Sequence, residues 1–410
     1  MTADVFILGG HQTDFARNYA KEGLEVSDLV ADVVTGTLDD ARLDAAAIET
    51  IHVGNAFGQL FNGQGQLGGM PATVEPGLWG VPAARHEAAC ASGGIAVLAA
   101  MAEIEAGRYD CALVLGVEQE RNVAGGEAAR HLGAAAWVGH EGEEATFMWP
   151  FMFSALADEY DRRYGIDAQH LAGIAELNFR NAKDNPNAQT RAWAHPPESF
   201  TADDVANPVV EGRIRRSDCS QVTDGAAGVV LAGRRTAEAW AQARGIAADD
   251  VPRILGWGHR TVGLPLADKL VRSGESEYVL PHVRAAITDA FARAGISDVG
   301  DLDGIETHDC FTPSEYAAID HFGITPPGQS WRAIEDGWLE RDGEMPVNPS
   351  GGLIGGGHPV GATGVRMVLD ATRQVTGTAG ATQVRNARRF GTLNIGGSTT
   401  TTVSFVIGST

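Results

Sequence analysis

The chain carries the same α/β pattern twice, and this internal repeat constrains the fold more than any other feature. Residues 5–10 and 253–258 are similar apolar runs. Each is followed by an irregular loop and an amphipathic helix, which we predict over 26–41 and 279–294. The sequence therefore predicts an α/β protein built from two duplicated halves, in which helices cover sheets. A chance likeness between two βαβ runs is the alternative.

Two further pairs of segments extend the repeat. Residues 51–57 correspond to 305–311, and residues 223–231 correspond to the closing run 396–404. Both pairs occur in the same order in the two halves, as a duplication requires.

The pattern breaks between the two halves. Residues 118–214 hold Gly-rich turns, an aromatic cluster at 147–151, and helical runs near 154–164 and 169–182. We interpret this segment as an insertion that covers a pocket; a plain surface insertion is the alternative. The predicted units are an N-terminal half (1–117 with 215–250), an inserted loop domain (118–214) and a C-terminal half (251–410).

Composition excludes several classes of protein. A net charge of −22 argues against nucleic acid and anionic membrane surfaces as partners, since both select basic patches. No apolar run reaches the ~20 residues of a membrane span. The four cysteines form neither a disulfide framework nor a zinc-binding spacing. The first residues resemble a strand rather than a signal peptide, so we expect a cytoplasmic protein.

Four separated segments carry side chains suited to carbon–carbon bond chemistry beside a thioester. They are HEAACASGG at 86–94, HDCF at 308–311, GHP at 357–359 and NIGG at 394–397. Each alone is weak evidence, and the four together in this order are strong evidence.

Cys90 is the candidate nucleophile. A helix predicted over 95–106 follows it, and a helix N-terminus favours a thiolate. Cysteine suits acyl transfer because it is nucleophilic and its thioester is readily resolved. The alternative is a small apolar side chain at a tight turn. We expect Cys111 to be a core residue and assign no chemistry to Cys219.

His358 is the candidate base. It ends a glycine-dense loop over 348–358, where backbone can approach a ligand, and its imidazole can take a thiol proton. A phosphate cradle is the competing interpretation, but the Lys-Ser/Thr ending of such a loop is missing.

His308 and Cys310 follow a strand predicted at 304–307. Side chains two residues apart in an extended segment point the same way, so both can face one pocket. A thiol beside an imidazole can move a proton on carbon. A metal-ligand pair or a plain strand end are the alternatives, and we predict no metal because no other soft ligands converge there.

These residues resemble the thiolase family, most closely its sterol-carrier-protein-2 type, over nearly the whole chain. The resemblance implies the five-layered αβαβα thiolase fold, built from two duplicated halves plus an inserted loop domain. It implies that Cys90 is acylated after His358 takes its proton. His308 and His358 would bind the thioester oxygen of the enolate-forming substrate, and the N–H groups of Cys90 and Gly396 would form a second oxyanion hole.

One departure concerns the second catalytic cysteine. Commoner thiolases place it in a Cys-x-Gly segment near the C-terminus, where this chain has Asn394-Ile395-Gly396. The sterol-carrier type offers Cys310 as the substitute.

The implied reaction is reversible cleavage of a 3-oxoacyl-CoA by CoA, or the reverse Claisen condensation, in fatty acid or sterol metabolism. CoA is then a substrate, and no bound cofactor is expected. A homodimer or homotetramer is the expected assembly. Alternatives are a ketosynthase-type condensing enzyme and a subunit that works with a small zinc-ribbon/OB-fold partner in condensation, retro-aldol cleavage or scaffolding.

Two sets of residues are candidates for holding the substrate. Arg213, Arg215 and Arg216 form the densest basic cluster and could bind CoA phosphates, although a solvated strand entry is an equal alternative. Residues 147–152 could line an acyl pocket, and plain packing is the favoured alternative.

Overall fold

The structure is a computed structural model that describes residues 4–409. The strands are β1 (Phe6–Gln12), β2 (Thr50–Gly54), β3 (Ala83–His86), β4 (Cys111–Glu118), β5 (Val209–Glu211), β6 (Ile214–Arg215), β7 (Gly225–Ala232), β8 (Arg253–Thr261), β9 (Gly304–Glu306), β10 (Arg389–Gly396) and β11 (Thr401–Gly408). The α-helices are α1 (Val26–Ala41), α2 (Gly58–Phe61), α3 (Met70–Val74), α4 (Ser92–Glu105), α5 (Gly125–Leu132), α6 (Met148–Tyr164), α7 (Ala168–Ala182), α8 (Arg234–Arg244), α9 (Leu266–Arg272), α10 (Pro281–Ala294), α11 (Thr312–Phe322), α12 (Ser330–Glu335) and α13 (Thr363–Thr376).

Nine strands form one sheet, and equivalent strands of the two halves lie at equivalent positions on either side of the boundary between β1 and β8. The order is β3-β2-β4-β7-β1-β8-β11-β10-β9. From the centre outward, β1, β7, β4 and β2 correspond to β8, β11, β10 and β9. The corresponding pairs also agree in direction: the inner neighbours are antiparallel, and the outermost of these pairs is parallel in each half. The predicted duplication is therefore confirmed.

The two halves of the sheet form two layers, and helices outside and between them complete a stack of five layers. Helix α1 packs on the outer face of the first half, and α10 packs on the outer face of the second. Helices α4 and α13 form the layer between, where Val97, Val365 and Phe405 belong to one buried cluster with strands of both halves. Helices α4 and α13 approach closely because both begin with glycines. A Cβ on Gly364 would lie 2.3 Å from the backbone nitrogen of Gly94.

The segment predicted as an insertion contributes α5, α6 and α7. Apolar residues of α6 and α7, such as Leu156 and Ile174, share a buried cluster with Ile319 of α11 in the second half. The exact unit boundaries remain a prediction. Across residues 4–409 no helix is both long enough and apolar enough to cross a bilayer.

A buried ion network joins α13 to the end of β9. Arg366 is 1% exposed, and its Nη1 lies 3.2 Å from Glu306 Oε2, 2.8 Å from Asp370 Oδ2 and 2.8 Å from Ser350 Oγ. Since Arg366 is in the helix that follows His358, and Glu306 precedes His308, the network fixes two segments that carry candidate site residues.

We predict that Arg366→Ala lowers the free energy of unfolding by about 3–5 kcal/mol, because it leaves Glu306 as an uncompensated buried charge. Denaturant unfolding followed by circular dichroism measures the loss. The matched control is Arg373→Ala, on the same helix, whose side chain is 29% exposed and lies 3.9 Å from Asp370. It should cost less than about 1 kcal/mol. Equal losses in the two variants would contradict the assigned role of Arg366.

Candidate active site

The fold brings together three candidate residues that are far apart in sequence. The Cys90 sulfur and the ring nitrogens of His308 and His358 lie within 4.8 Å of one another. The two imidazole rings meet edge to face, with centroids 5.2 Å apart. Ligand atoms in a closed zinc site lie about 3.5 Å apart. The same proximity suits proton transfer around a substrate, and the absence of a metal remains a prediction.

Cys90 lies in a tight turn directly before α4, as predicted. Ala89 has a φ of 50°, in the left-handed region. Ser92, the first residue of α4, stabilises this turn: its hydroxyl donates to Ala89 O at 2.6 Å and accepts from Ala88 N at 2.9 Å. A strained, braced turn of this kind is typical of a functional position.

The surroundings of Cys90 do not favour the thiolate that its helix position suggests. Burial, the largest cause, raises the pKa of the Cys90 thiol to about 12. Desolvation therefore outweighs the helix N-terminus, and the thiol needs a base to become nucleophilic.

His358 is arranged to be that base. Its Nδ1 lies 2.7 Å from Thr363 Oγ1, and the Thr363 hydroxyl donates to Pro359 O at 3.1 Å. Because the hydroxyl hydrogen is used there, Thr363 accepts from His358 Nδ1–H, which leaves the lone pair on Nε2. Nε2 is buried and has no protein partner among the described residues. Burial lowers the pKa of His358 to about 3, so its ring is neutral.

Asn394 joins the Cys90 turn to His308. Its Nδ2 donates to Cys90 O at 2.9 Å and lies 3.5 Å from His308 Nδ1. Asn394 therefore acts as a bridge at the position where commoner thiolases carry their second cysteine. Burial, the largest cause, lowers the pKa of His308 well below its ordinary value.

Cys310 lines the same cavity as Cys90 and His358. It is 6% exposed, and burial raises the pKa of its thiol well above the ordinary value. Ser314, in the first turn of α11, donates to the carbonyl oxygens of His308 and Phe311, at 2.7 Å each. The HDCF segment is thus held against the start of α11, and Cys310 keeps its proton.

The glycine-dense loop wraps around Asp309, between His308 and Cys310. The Asp309 carboxylate accepts from Leu353 N at 2.6 Å and Ile354 N at 3.0 Å. A Cβ on Gly352, whose φ is 60°, would lie 2.4 Å from Asp309 Oδ2. The backbone N–H groups of the loop thus bind a carboxylate of the protein itself. This contact explains the glycine-dense loop, and a bound phosphate is not needed to explain it.

The turn after β10 lies on the other side of Cys90. The backbone of Gly397 hydrogen-bonds the Cys90 thiol, while a Cβ on Gly396 would lie 2.1 Å from Ala88 O. Gly397 was not singled out from sequence, and the oxyanion role of Gly396 remains a prediction.

Lys269 holds this turn and was also missed. It is 6% exposed, and its Nζ donates to Ser398 O at 2.5 Å and to Thr400 Oγ1 at 2.8 Å. Burial lowers the pKa of Lys269 to about 7. The sequence did contain a sign that Lys269 is buried: it follows Leu266 by three residues and therefore lies on the same, apolar face of α9.

A mostly apolar cavity of about 310 Å³ opens beside Cys90. Residues of the insertion line it, so the insertion does cover a pocket; they include Phe147, Met148, Trp149, Pro150 and Phe153. The plain-packing alternative holds instead for Met152, which is 4% exposed and does not line the cavity.

The basic cluster divides in the same region. Arg213 pairs with Asp161 at 2.7 Å, and Arg215 pairs with Asp204 at 2.9 Å. Arg216 lines the cavity, and its guanidinium donates to the backbone oxygen of Ala206. Cys111 is buried in β4, as expected, whereas Cys219 also lines the cavity.

We predict that the His358 ring carries its hydrogen on Nδ1 and stays neutral between about pH 5 and pH 8, since its pKa of about 3 lies below that range. Long-range ¹H–¹⁵N spectra of histidine-labelled protein report both properties. Thr363→Val should shift the hydrogen toward Nε2. Thr372→Val is the matched control on α13, because its hydroxyl bonds only Val368 O, at 2.7 Å. A ring that titrates near pH 6.5, the ordinary histidine value, would contradict the assignment.

Comparisons with known proteins agree with this geometry. Residues 5–192 match the thiolase N-terminal domain, and residues 267–409 match the thiolase C-terminal domain-like family. Acetyl-CoA acetyltransferase of Methanothermobacter thermautotrophicus is 32% identical over 96% of this chain and 96% of its own. Sterol carrier protein 2 of Homo sapiens is 27% identical over 94% of this chain and 68% of its own.

A solved structure described as an Ltp2-ChsH2(DUF35) aldolase has a TM-score of 0.78 at 19% identity and covers 99% of this chain and 98% of that chain. The predicted thiolase fold is thereby confirmed, and with the two domain matches and the relative at 32% identity it leads to one conclusion. The chain belongs to the thiolase family.

Proposed function

We propose that this protein is a thiolase that cleaves 3-oxoacyl-CoA with CoA, reversibly, through an acyl-Cys90 intermediate. The observation that carries the proposal is the approach of Cys90, His308 and His358 within 4.8 Å, beside a cavity that Cys310 also lines. The high pKa of Cys90 and the low pKa of His358 define a neutral thiol–imidazole pair at rest.

In the first half-reaction, His358 Nε2 takes the Cys90 proton and the sulfur attacks the 3-oxo carbon. The bond between carbons 2 and 3 breaks, and its electron pair stays on the acetyl-CoA fragment as an enolate. His308 and the protonated His358 bind the enolate oxygen, and the Cys310 thiol gives its proton to carbon 2. Acetyl-CoA leaves, and the rest of the acyl chain remains on Cys90 as a thioester.

In the second half-reaction, CoA gives its thiol proton to the Cys310 thiolate and attacks the acyl-Cys90 thioester. The carbon–sulfur bond to Cys90 then breaks, and the released sulfur takes back the proton that His358 holds. The oxygen of the tetrahedral intermediate points to backbone N–H groups of the Cys90 turn and of the Gly396-Gly397 turn. Donors aimed at such an oxygen contribute about 3 kcal/mol each. Lys269 and Asn394 support the two turns that carry these donors.

We predict that Cys90→Ala lowers thiolysis of acetoacetyl-CoA by about 10⁴-fold or more, because the nucleophile is lost. Cys310→Ala should lower carbon–carbon cleavage by about 10²- to 10⁴-fold yet still become acylated by acetyl-CoA, a step that needs no proton on carbon. Steady-state rates and intact-protein mass spectrometry separate these effects.

Cys219→Ala is the matched control for both variants, since Cys219 lines the same cavity without a step assigned to it. Its rate should stay close to that of the wild type. A Cys90→Ala protein that retains turnover, or a Cys310→Ala protein that cleaves at the wild-type rate, would contradict the mechanism.

As a second candidate function, we propose that the chain acts as a subunit with a small zinc-ribbon/OB-fold partner in condensation, retro-aldol cleavage or scaffolding. The neighbour described as an Ltp2-ChsH2(DUF35) aldolase, at a TM-score of 0.78, motivates this proposal. A wild-type protein that is folded but inactive alone, and active after reconstitution with such a partner, would favour the second candidate. Full thiolysis by the purified chain would favour the first.

A further inference from the structure

Glu120 is a buried carboxyl group in the catalytic cavity that no step of the proposed mechanism uses. It lies just after β4, is 1% exposed and lines the cavity beside Cys90. Its Oε1 is buried with no hydrogen-bond partner among residues 4–409. A buried polar atom without a partner is unfavourable, because it has lost its hydrogen bonds to water without replacing them.

Two neighbouring carboxylates differ from Glu120 in their surroundings. The side chain of Glu118 accepts four hydrogen bonds, from Asn55 Nδ2 at 2.8 Å, Ala56 N at 2.9 Å, Phe57 N at 3.0 Å and Gly361 N at 3.0 Å. Asp224 accepts three, from Tyr19 N at 3.0 Å, Glu120 N at 2.8 Å and Arg121 N at 2.7 Å. These donors stabilise negative charge on Glu118 and Asp224.

Glu120 receives much weaker support, from the backbone of Val360 and Thr223 alone. Burial and the nearby charges of Glu118 and Asp224 raise the pKa of Glu120 well above its ordinary value. Burial raises the pKa of all three carboxyl groups, but the hydrogen-bond donors to Glu118 and Asp224 oppose that rise, so Glu120 is the member of the cluster that is most readily protonated. A neutral carboxyl can donate one hydrogen bond and accept another.

The residues that line the rest of the cavity indicate what the Glu120 carboxyl group could bind. Most of the surface around it is apolar, as at Phe57 and Trp149, although Arg216, Ser220 and Gln221 also line the cavity. A cavity of about 310 Å³ is within the size range of ligand pockets and holds more than an acetyl group. A few polar groups in a mostly apolar pocket fix orientation and specificity. Glu120 keeps a buried oxygen with no protein partner among the described residues, so its partner is expected on the ligand.

We propose that Glu120 is a specificity-determining residue that hydrogen-bonds an oxygen atom on the acyl chain, beyond the 3-oxo group. The substrate class is then 3-oxoacyl-CoA thioesters whose chain carries a hydroxyl or carbonyl, rather than plain alkyl chains. This inference rests on the proposed thiolase function and adds the identity of its acyl group.

The test measures affinity without turnover. In a Cys90→Ala background, isothermal titration calorimetry compares octanoyl-CoA with isomers that carry one hydroxyl on each of the outer carbons in turn. At least one isomer should bind about 10- to 100-fold more tightly than octanoyl-CoA. Adding Glu120→Met should bring that ratio close to one, whereas Glu120→Gln, which keeps a donor and an acceptor, should preserve most of it.

Two results would overturn the inference: equal affinity for all the chains, or a preference that survives Glu120→Met. Thermal unfolding checks that the variants are folded, and Glu120→Leu takes the place of Glu120→Met in this comparison if Glu120→Met does not fold. A uniform loss of turnover in Glu120→Gln, with no change in affinity, would also overturn it, because Glu120 would then transfer protons.

Thiolysis by the wild type is measured separately and tests the proposed function. A chain preference without any thiolysis would contradict the proposed function and leave the assignment of Glu120 standing. Thiolysis with no chain preference would support the proposed function and contradict the assignment of Glu120.

Discussion

The site depends on the buried carboxylate of Asp309. It accepts from the backbone of Leu353 and Ile354 and from Asn178 Nδ2, so one side chain ties the HDCF segment to the glycine loop and to the insertion. His308 and Cys310 flank this residue, and His358 ends the loop that it holds. The Arg366–Glu306 contact makes a second connection, between the helix that follows His358 and the strand that precedes His308. Three site residues thus share one rigid support, which reduces the cost of ordering them when substrate binds.

Burial sets the resting charge of the site. The thiol pKa values of Cys90 and Cys310 are raised, and the pKa values of His308 and His358 are lowered, each mainly by desolvation. All four groups are neutral before substrate arrives, so charge develops only along the reaction path. In a water-excluded site, donors aimed at that charge are worth more than in water. Cys310 in particular retains the proton that the proposed mechanism gives to the enolate.

Much of the fold could be predicted from local pattern. Helix α1 matches its predicted range of 26–41, and the paired runs become equivalent strands around the centre of the sheet, because hydrophobic periodicity reports burial directly. The position of Cys90 before a helix and the placement of Cys310 on the cavity followed from spacing. Spacing could not reveal Thr363 or Lys269, whose partners are set by backbone geometry and tertiary contact. It also missed the raised pKa of Cys90 and the role open to Glu120, since both arise from burial among residues distant in sequence.

In the proposed mechanism, Cys310 moves the proton on carbon 2 while Cys90 carries the acyl group. Deuterium exchange tests it most directly: acetyl-CoA is incubated with the wild-type protein in heavy water, and label on carbon 2 is followed by mass spectrometry. We predict that label enters with the wild type and with Cys219→Ala, and that it fails to enter with Cys310→Ala. Label that enters at an equal rate in Cys310→Ala, or no label in a wild-type protein that forms acyl-Cys90, would contradict it.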